Sequence, residues 1–189
     1  SFHIANALLG NKENEAMLEA TLLGPEVEFT EENYFVITGA DMGATLDGAP
    51  IEGYWFWKAE KGSVLKLGFA RNGVRAYLAF AGGLDVPEVM GSKSTGLKIK
   101  MGGLNGRKLE AGDEIAFVRP ALKLSHLERR RMMPFDYQKK EWNIRVVLGF
   151  QKDYFTGEGI NAFFTTPYTI LQDSDRMGYR LEGEPVTCR

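Results

Sequence analysis

The sequence has few of the residues that build disulfides and metal centres. Its 189 residues include a single cysteine, Cys188, and two histidines, His3 and His126. One cysteine cannot form an internal disulfide, and so few soft ligands cannot make a zinc centre of Cys and His. We therefore expect no metal site and a reducing, cytoplasmic environment.

An excess of charge and a long apolar run are also missing. Lys and Arg total 23 against 25 Asp and Glu, which gives a formal net charge of -2. This balance argues against a nucleic-acid partner, which usually requires a basic excess or a basic face. No stretch approaches the roughly 18 consecutive apolar residues of a membrane span. Because the sequence starts at Ser1 inside an apolar pattern, we expect the chain to be part of a longer one, truncated at both ends.

Glycine, by contrast, is abundant, with 22 residues that separate short runs of branched and aromatic residues. Apolar residues at helical spacing predict a helix from Phe2 to Leu9, ended by Gly10. Asn72-Gly73 predicts a type I′ hairpin between two of the later runs. The predicted strands cover residues 16–23, 34–37, 54–57, 64–67, 74–81, 114–118, 143–150, 162–165 and 168–172.

This pattern predicts a mainly β fold in barrels rather than an α/β nucleotide-binding fold. We expect two related β units with a short N-terminal helix. The first unit is placed at residues 1–119 and the start of the second at 142–189. The basic segment between them, 120–141, is predicted to be an exposed linker.

The segment Gly91-Ser92-Lys93-Ser94-Thr95 has the composition of a phosphate-binding loop. A P-loop requires glycine directly before lysine, and here Ser92 stands between them, which excludes that motif. Two interpretations remain: a polar turn, or an anion or substrate pocket made by the hydroxyls of Ser92, Ser94 and Thr95.

Lys100-Met101 is weakly similar to the Met-Lys-Met hairpin that carries covalent biotin. Ile99 stands before the lysine and the usual acidic lead is missing, so we expect a solvated strand and no covalent biotin.

Two segments remain as candidates for substrate binding. Residues 175–181 combine two arginines with a glycine in a turn, and a guanidinium such as that of Arg176 suits carboxylates or phosphates. The alternative is a structural arginine that caps backbone carbonyls. Gln151 follows a predicted strand and either binds a small polar substrate or ties down a turn.

Several stretches of the chain occur in the order found in a known family. They are 6–11 (NALLGN), 18–25 (LEATLLGP), 75–87 (RAYLAFAGGLDVP), 91–95 (GSKST), 102–113 (GGLNGRKLEAGD) and 174–183 (SDRMGYRLEG). Together they closely resemble the KipA family, whose members are also described as allophanate hydrolase subunit 2, as biotin-dependent carboxyltransferase-like, or as the C-type subunit of 5-oxoprolinase. The resemblance covers nearly the whole chain and implies a cyclophilin-like β-barrel architecture.

The resemblance also implies a function and its partners. Family members assemble with a KipI-like B-type subunit and an A-type subunit into a hydrolase that converts 5-oxoproline to glutamate with ATP, and this is our first expectation. Relatives fused in urea carboxylase transfer a carboxyl group from biotin, held on a separate carrier, to urea. A third role is a regulator that binds a kinase-inhibitor protein. In the first case the complex uses ATP, and this chain carries no covalent cofactor.

The substrates of the two enzymes share a planar amide-like group, and 5-oxoproline adds a carboxylate. Arg176 is expected to hold the carboxylate, with Asp153 or Asp175 as general base. The amide is expected to bind side chains that offer amide or hydroxyl groups, namely Gln151, Ser92, Ser94 and Thr95.

Overall fold

A computed structural model describes residues 1–118, 126, 129–136 and 141–189. The chain forms two compact units, Ser1–Lys140 and Glu141–Arg189. More than half of the predicted linker, namely 120–125, 127–128 and 137–140, lies outside the described residues.

The first unit contains a helix and two antiparallel four-stranded sheets. Helix α1 spans Phe2–Leu9. The strands are β1 (Leu18–Thr21), β2 (Glu26–Glu28), β3 (Asn33–Asp41), β4 (Thr45–Leu46), β5 (Ala49–Pro50), β6 (Phe56–Ala59), β7 (Val64–Lys66) and β8 (Asn72–Phe80). One sheet has the order β1-β8-β3-β6 and the other β2-β7-β4-β5.

The main core of this unit contains side chains from both sheets. Phe35 on β3 and Phe80 on β8 lie beside Phe29, with ring centroids 5.4 and 5.8 Å from that of Phe29. Leu65 on β7 joins this cluster from the second sheet. The three phenyl rings and Leu65 are almost completely excluded from water, which makes this cluster the principal source of hydrophobic stabilisation.

Helix α1 covers the opposite face of the first sheet. Ala5 and Leu9 pack against Val36 of β3 and Ala79 of β8, and all four are fully buried. Strand β3 is therefore buried on both faces, which explains its nearly continuous apolar sequence where a half-exposed strand would alternate.

The end of α1 follows the sequence prediction. Gly10 has φ 68° and ψ 22°, the left-handed conformation typical of a helix end. The Arg130 guanidinium donates to the Leu8 carbonyl at 3.2 Å, and a side chain at Gly10 would crowd it. Part of the segment predicted as an exposed linker thus contacts the first unit.

The predicted hairpin at Asn72-Gly73 is wrong. Both residues belong to β8, and Asn72 pairs with Asp41 of β3. The preceding strand, β7, lies in the other sheet, so β7 and β8 do not pair with each other. The strand predicted at 114–118 is reduced to an isolated bridge between Leu84 and Phe117.

The second unit begins with an exposed segment at 141–149 that pairs with no strand in the described part of the chain, although 143–150 was predicted to be one. A short 3-10 turn, Lys152–Tyr154, leads to helix α2, Gly157–Thr165. Strands β9 (Tyr168–Ile170) and β10 (Leu181–Gly183) form an antiparallel pair.

The strand predicted at 162–165 is wrong, because these residues form the end of α2. Thr156 caps this helix by accepting the Gly159 N–H at 3.0 Å. This local start signal outweighs the strand propensity of the residues that follow. The mainly β fold with a short N-terminal helix is confirmed. No helix within the described ranges is long and apolar enough to cross a membrane.

Candidate functional site

A cleft of about 980 Å³ opens on the first unit beside the C-terminal half of β3. The pairing between β3 and β8 shifts between Gly39 and Asp41, which interrupts the regular ladder at this point. The cleft walls come from residues 37–45, 50–55, 71–72 and 131–135. Its volume is typical of a site for a small molecule.

Tyr54 links this irregular part of β3 to the wall of the cleft. Its hydroxyl accepts the Gly39 N–H at 3.0 Å, and its own N–H donates to the Ile37 carbonyl at 2.7 Å. Tyr54 is buried, with φ 60°, an uncommon value for a bulky residue. Strained residues of this kind concentrate at ligand-binding sites, where the surrounding contacts hold them in place.

Gly39 must be glycine for the bulge to form. It has φ 91°, and a Cβ at this position would overlap the carbonyl oxygen of Arg75 on the neighbouring strand. Gly39 therefore allows β3 and β8 to approach each other while its N–H turns toward Tyr54.

Arg71 supplies a positive charge to the cleft. Its backbone N–H donates to the Asp41 carbonyl at 2.7 Å, and its guanidinium lies where a Cβ on Gly43 would stand. The Asp41 carboxylate accepts the Gly43 N–H at 2.8 Å. Within the described ranges, no carboxylate forms an ion pair with Arg71.

Residues 131–135 form an apolar wall opposite Arg71 and contact the aromatic side chains of the cleft. The Arg131 guanidinium lies over the Trp55 ring, 5.4 Å from its centroid. Phe135 meets Tyr54 edge-on with centroids 6.4 Å apart, and Met132 N–H donates to the Tyr54 carbonyl. The cleft thus combines a guanidinium, backbone polar groups and an apolar wall, which suits a small amphipathic anion.

Comparison with known proteins places the chain in a family. Residues 1–189 match the family model described as "Carboxyltransferase domain, subdomain A and B". The chain belongs to this family. This confirms the family resemblance predicted from the sequence.

Curated relatives of this carboxyltransferase-family chain are enzyme components. It is 38% identical over 186 residues to the C-type subunit of 5-oxoprolinase from Escherichia coli (strain K12), which covers 97% of this chain and 58% of that protein. It is 36% identical over 191 residues to urea amidolyase of Saccharomyces cerevisiae, which covers 97% of this chain and 10% of that protein. The chain thus spans little more than half of the first relative.

Solved structures of the same fold agree with this assignment. The crystal structure of K. lactis urea amidolyase superposes with a TM-score of 0.76 at 31% identity, over 99% of this chain and 12% of that chain. The crystal structure of Kluyveromyces lactis urea carboxylase gives a TM-score of 0.74 at 32% identity, over 97% of this chain and 17% of that chain.

Three of the predicted site residues of this carboxyltransferase-family chain lie in one loop of the first unit. Ser92 forms a bridge with Val89, and its Oγ accepts the Ser94 N–H at 3.1 Å. Thr95 lies against Gly103, where a Cβ would overlap the threonine hydroxyl. Ser92, Ser94 and Thr95 are near one another, but none of them lines the cleft.

The loop that carries these hydroxyls is fixed by an ion pair. Lys93 Nζ lies 2.6 Å from Glu15 Oε2, and the two side chains are only 20% and 13% exposed. Gly83 leaves the space that the Glu15 carboxylate occupies. Lys93 therefore anchors the loop between its predicted substrate-binding residues.

The other four predicted site residues lie in the second unit, in two segments. Gln151 precedes the 3-10 turn that contains Asp153, and both are exposed. Asp175 accepts the Met177 N–H at 2.7 Å within a turn that also carries the exposed Arg176. None of the four lines the cleft, and their roles in binding and catalysis stay predictions.

The cleft residues Gly39, Tyr54 and Arg71 were not predicted from the sequence. Tyr54 was assigned to a core strand because aromatic residues follow it. The available signal was Gly39 and Gly43 close together after an apolar run, a spacing that indicates backbone irregularity rather than a continuous strand.

Proposed function

We propose that this chain is the C-type component of an ATP-dependent 5-oxoprolinase, a hydrolase that opens a cyclic amide to give glutamate. The observation that carries this proposal is the 38% identity, over 97% of this chain, to a protein named as the corresponding 5-oxoprolinase component. The cleft supports it, because a small cyclic amide with a carboxylate needs both a cation and apolar contacts.

The proposed reaction breaks the ring C–N bond of 5-oxoproline. Water supplies the oxygen of the new carboxylate, the ring nitrogen becomes the amine of glutamate, and ATP hydrolysis drives the opening. An amide carbonyl is a poor electrophile, so donors positioned at its oxygen contribute to the rate.

The residues predicted from the sequence have stated roles in this proposal. Gln151 and the hydroxyls of Ser92, Ser94 or Thr95 would bind the amide. Asp153 or Asp175 would act as general base, since both are exposed carboxylates that a substrate or water can reach.

We propose that the activity requires two partners, a KipI-like B-type subunit and an A-type subunit. The Escherichia coli relative is named as one subunit of its enzyme, which supports a hetero-oligomer. ATP is assigned to the assembled complex, and this chain carries no covalent cofactor in the proposal.

The second candidate is biotin-dependent carboxyl transfer to urea. The description of the family as a carboxyltransferase domain and the urea amidolyase relatives favour it. In that case biotin on a separate carrier brings the carboxyl group, and the cleft of about 980 Å³ has room for a small ureido group.

The experiment compares the two activities with the same protein preparation. The purified chain is combined with the candidate A-type and B-type subunits, and glutamate released from L-5-oxoproline is measured with and without ATP. In parallel, urea carboxylation is measured with a biotin carboxylase and a biotinylated carrier.

We expect ATP-dependent glutamate release that disappears when this chain is omitted. Urea carboxylation without glutamate release would replace the first proposal with the second. If neither activity depends on the chain, both proposals are rejected and the regulatory role becomes the one to test, by binding to a kinase-inhibitor protein.

A further inference from the structure

The cleft places one guanidinium, that of Arg71, where a ligand can reach it. Arg71 is exposed, lines the cleft and has no ion-pair partner in the described part of the chain. We infer that Arg71 binds the carboxylate of the substrate, so that the cleft selects an acidic cyclic amide over a neutral amide such as urea. This inference rests on the proposed function, because it specifies the substrate of the proposed enzyme.

The position of the guanidinium is determined by the backbone around it. The Arg71 N–H is bound to the Asp41 carbonyl at 2.7 Å, and the side chain crosses Gly43, where any Cβ would overlap it. A side chain placed in this way loses less conformational freedom when it binds a ligand. Its planar fork of donors matches the two oxygens of a carboxylate.

The acidic residues of the cleft leave this guanidinium available. Asp41 and Glu52 both line the cleft, but neither forms an ion pair with Arg71 in the part of the chain that the structure describes. The Asp41 carboxylate is engaged by the Gly43 N–H at 2.8 Å. A ligand carboxylate would therefore meet an unneutralised positive charge.

The other arginines that sequence or structure bring into question are less well placed. Arg131 also lines the cleft, but its guanidinium already lies over Trp55. Arg176, predicted from the sequence to hold the carboxylate, is exposed on a turn of the second unit. Apolar side chains of the cleft, including Ile51 and Met132, offer contacts for the ring methylenes of a cyclic acid.

The test compares an acid with its neutral analogue. Binding of L-5-oxoproline and of 2-pyrrolidinone, the same ring without the carboxylate, is titrated by ligand-observed NMR on the 189-residue chain. The variants are Arg71→Ala, Arg71→Lys and Arg176→Ala. Arg145→Ala is the matched control, since Arg145 is exposed and lies outside the cleft.

Loss of a charge-assisted contact weakens binding on the order of ten- to a hundredfold. We expect this loss for L-5-oxoproline in Arg71→Ala, with 2-pyrrolidinone binding unchanged. Arg71→Lys, which keeps the charge but not the fork, should recover only part of the affinity. Arg145→Ala should bind both ligands like the wild type.

Several results would overturn the inference. These are no binding of L-5-oxoproline by the wild type, equal binding by wild type and Arg71→Ala, or a loss confined to Arg176→Ala. An equal loss of acid and neutral ligand in Arg71→Ala and Arg71→Lys would show that Arg71 only maintains the shape of the cleft.

The outcome is separable from that of the proposed function. Arg71-dependent binding of the acid without glutamate release in the assembled complex would reject the 5-oxoprolinase proposal and leave a carboxylate site. Glutamate release with binding that does not depend on Arg71 would reject the inference alone.

Discussion

The Tyr54 hydroxyl accepts the backbone N–H of Gly39 at 3.0 Å, across the point where β3 departs from regular pairing with β8. This contact joins a buried, positive-φ tyrosine to the bulge that forms one side of the cleft. The shape of the candidate site therefore depends on a side chain whose sequence neighbours suggest an ordinary strand.

Replacing Tyr54 by phenylalanine removes the acceptor of the Gly39 N–H while keeping the ring. A buried N–H left without a partner costs about 1–3 kcal/mol. We expect the free energy of unfolding to fall by this amount in denaturant titrations. Tyr154→Phe serves as control because Tyr154 is 70% exposed, and its change should stay within about 0.5 kcal/mol. Equal effects of the two substitutions would show that the Gly39 contact contributes nothing specific.

The ion pair between Arg107 and Asp113 makes a second prediction, about pH. Arg107 Nη1 and Nη2 each donate to one oxygen of Asp113 at 2.7 Å. These bonds, with a further one from the Glu110 N–H, lower the pKa of Asp113 from its ordinary value of 3.8 to about 2.

Because the folded-state pKa is the lower one, the Asp113 carboxylate stabilises the fold above about pH 4, and this stabilisation is lost as the pH falls toward 2. Asp113→Asn should melt at a lower temperature than wild type at pH 7, and the difference should shrink between pH 4 and 2. Glu88→Gln removes an exposed carboxylate outside this pair and is the control. A difference that stays constant down to pH 2 would contradict the assignment.

The half-buried pair of Lys93 and Glu15 should matter more than an exposed one. Lys93→Ala leaves the Glu15 carboxylate without its partner at 13% exposure, and we expect a loss of about 1–3 kcal/mol in the free energy of unfolding. In the double variant with Glu15→Ala, part of this loss should be recovered, because no unpaired charge remains.

The matched control for this pair is Lys66, which lies 3.0 Å from Glu26 with both side chains more than half exposed. Lys66→Ala should cost less than about 1 kcal/mol. If both lysine substitutions cost the same, burial does not distinguish the two ion pairs.

The chain is predicted to carry no covalent biotin. Lys100 has φ 53° and lies between Ile99 and Met101 in a loop of turns, without the context of a biotin acceptor. After co-expression with a biotin ligase, a streptavidin blot should be negative. A band that disappears in Lys100→Ala would prove this prediction wrong and identify the acceptor.

Local sequence signals predicted the elements that depend on local interactions. The apolar spacing from Phe2 to Leu9 and Gly10 after it were sufficient for α1 and its end. The long apolar runs placed β3 and β8, since their residues are buried on both faces. The Asn72-Gly73 hairpin failed because β7 and β8 find partners in different sheets, which the turn residues do not encode.

The candidate site was harder to predict than the fold. The hydroxyl loop from Ser92 to Thr95 was recognised as polar turns, yet the ion pair of Lys93 with Glu15 joins residues far apart in the sequence. Arg71 was not singled out, because a single arginine after a strand has no distinctive pattern. Its significance comes from the space above Gly43 and from the absence of a described ion-pair partner.

By itself, the sequence determined the family, the mainly β composition and the N-terminal helix, because motifs, glycine-rich turns and apolar periodicity are local properties of the chain. Only the tertiary structure decided which strands pair, that Tyr54 reaches Gly39, and that Arg71 faces a cleft. The physical reason is that sheet pairing and pocket formation depend on contacts between residues distant in the chain, and on the steric space that a missing Cβ leaves at Gly39 and Gly43.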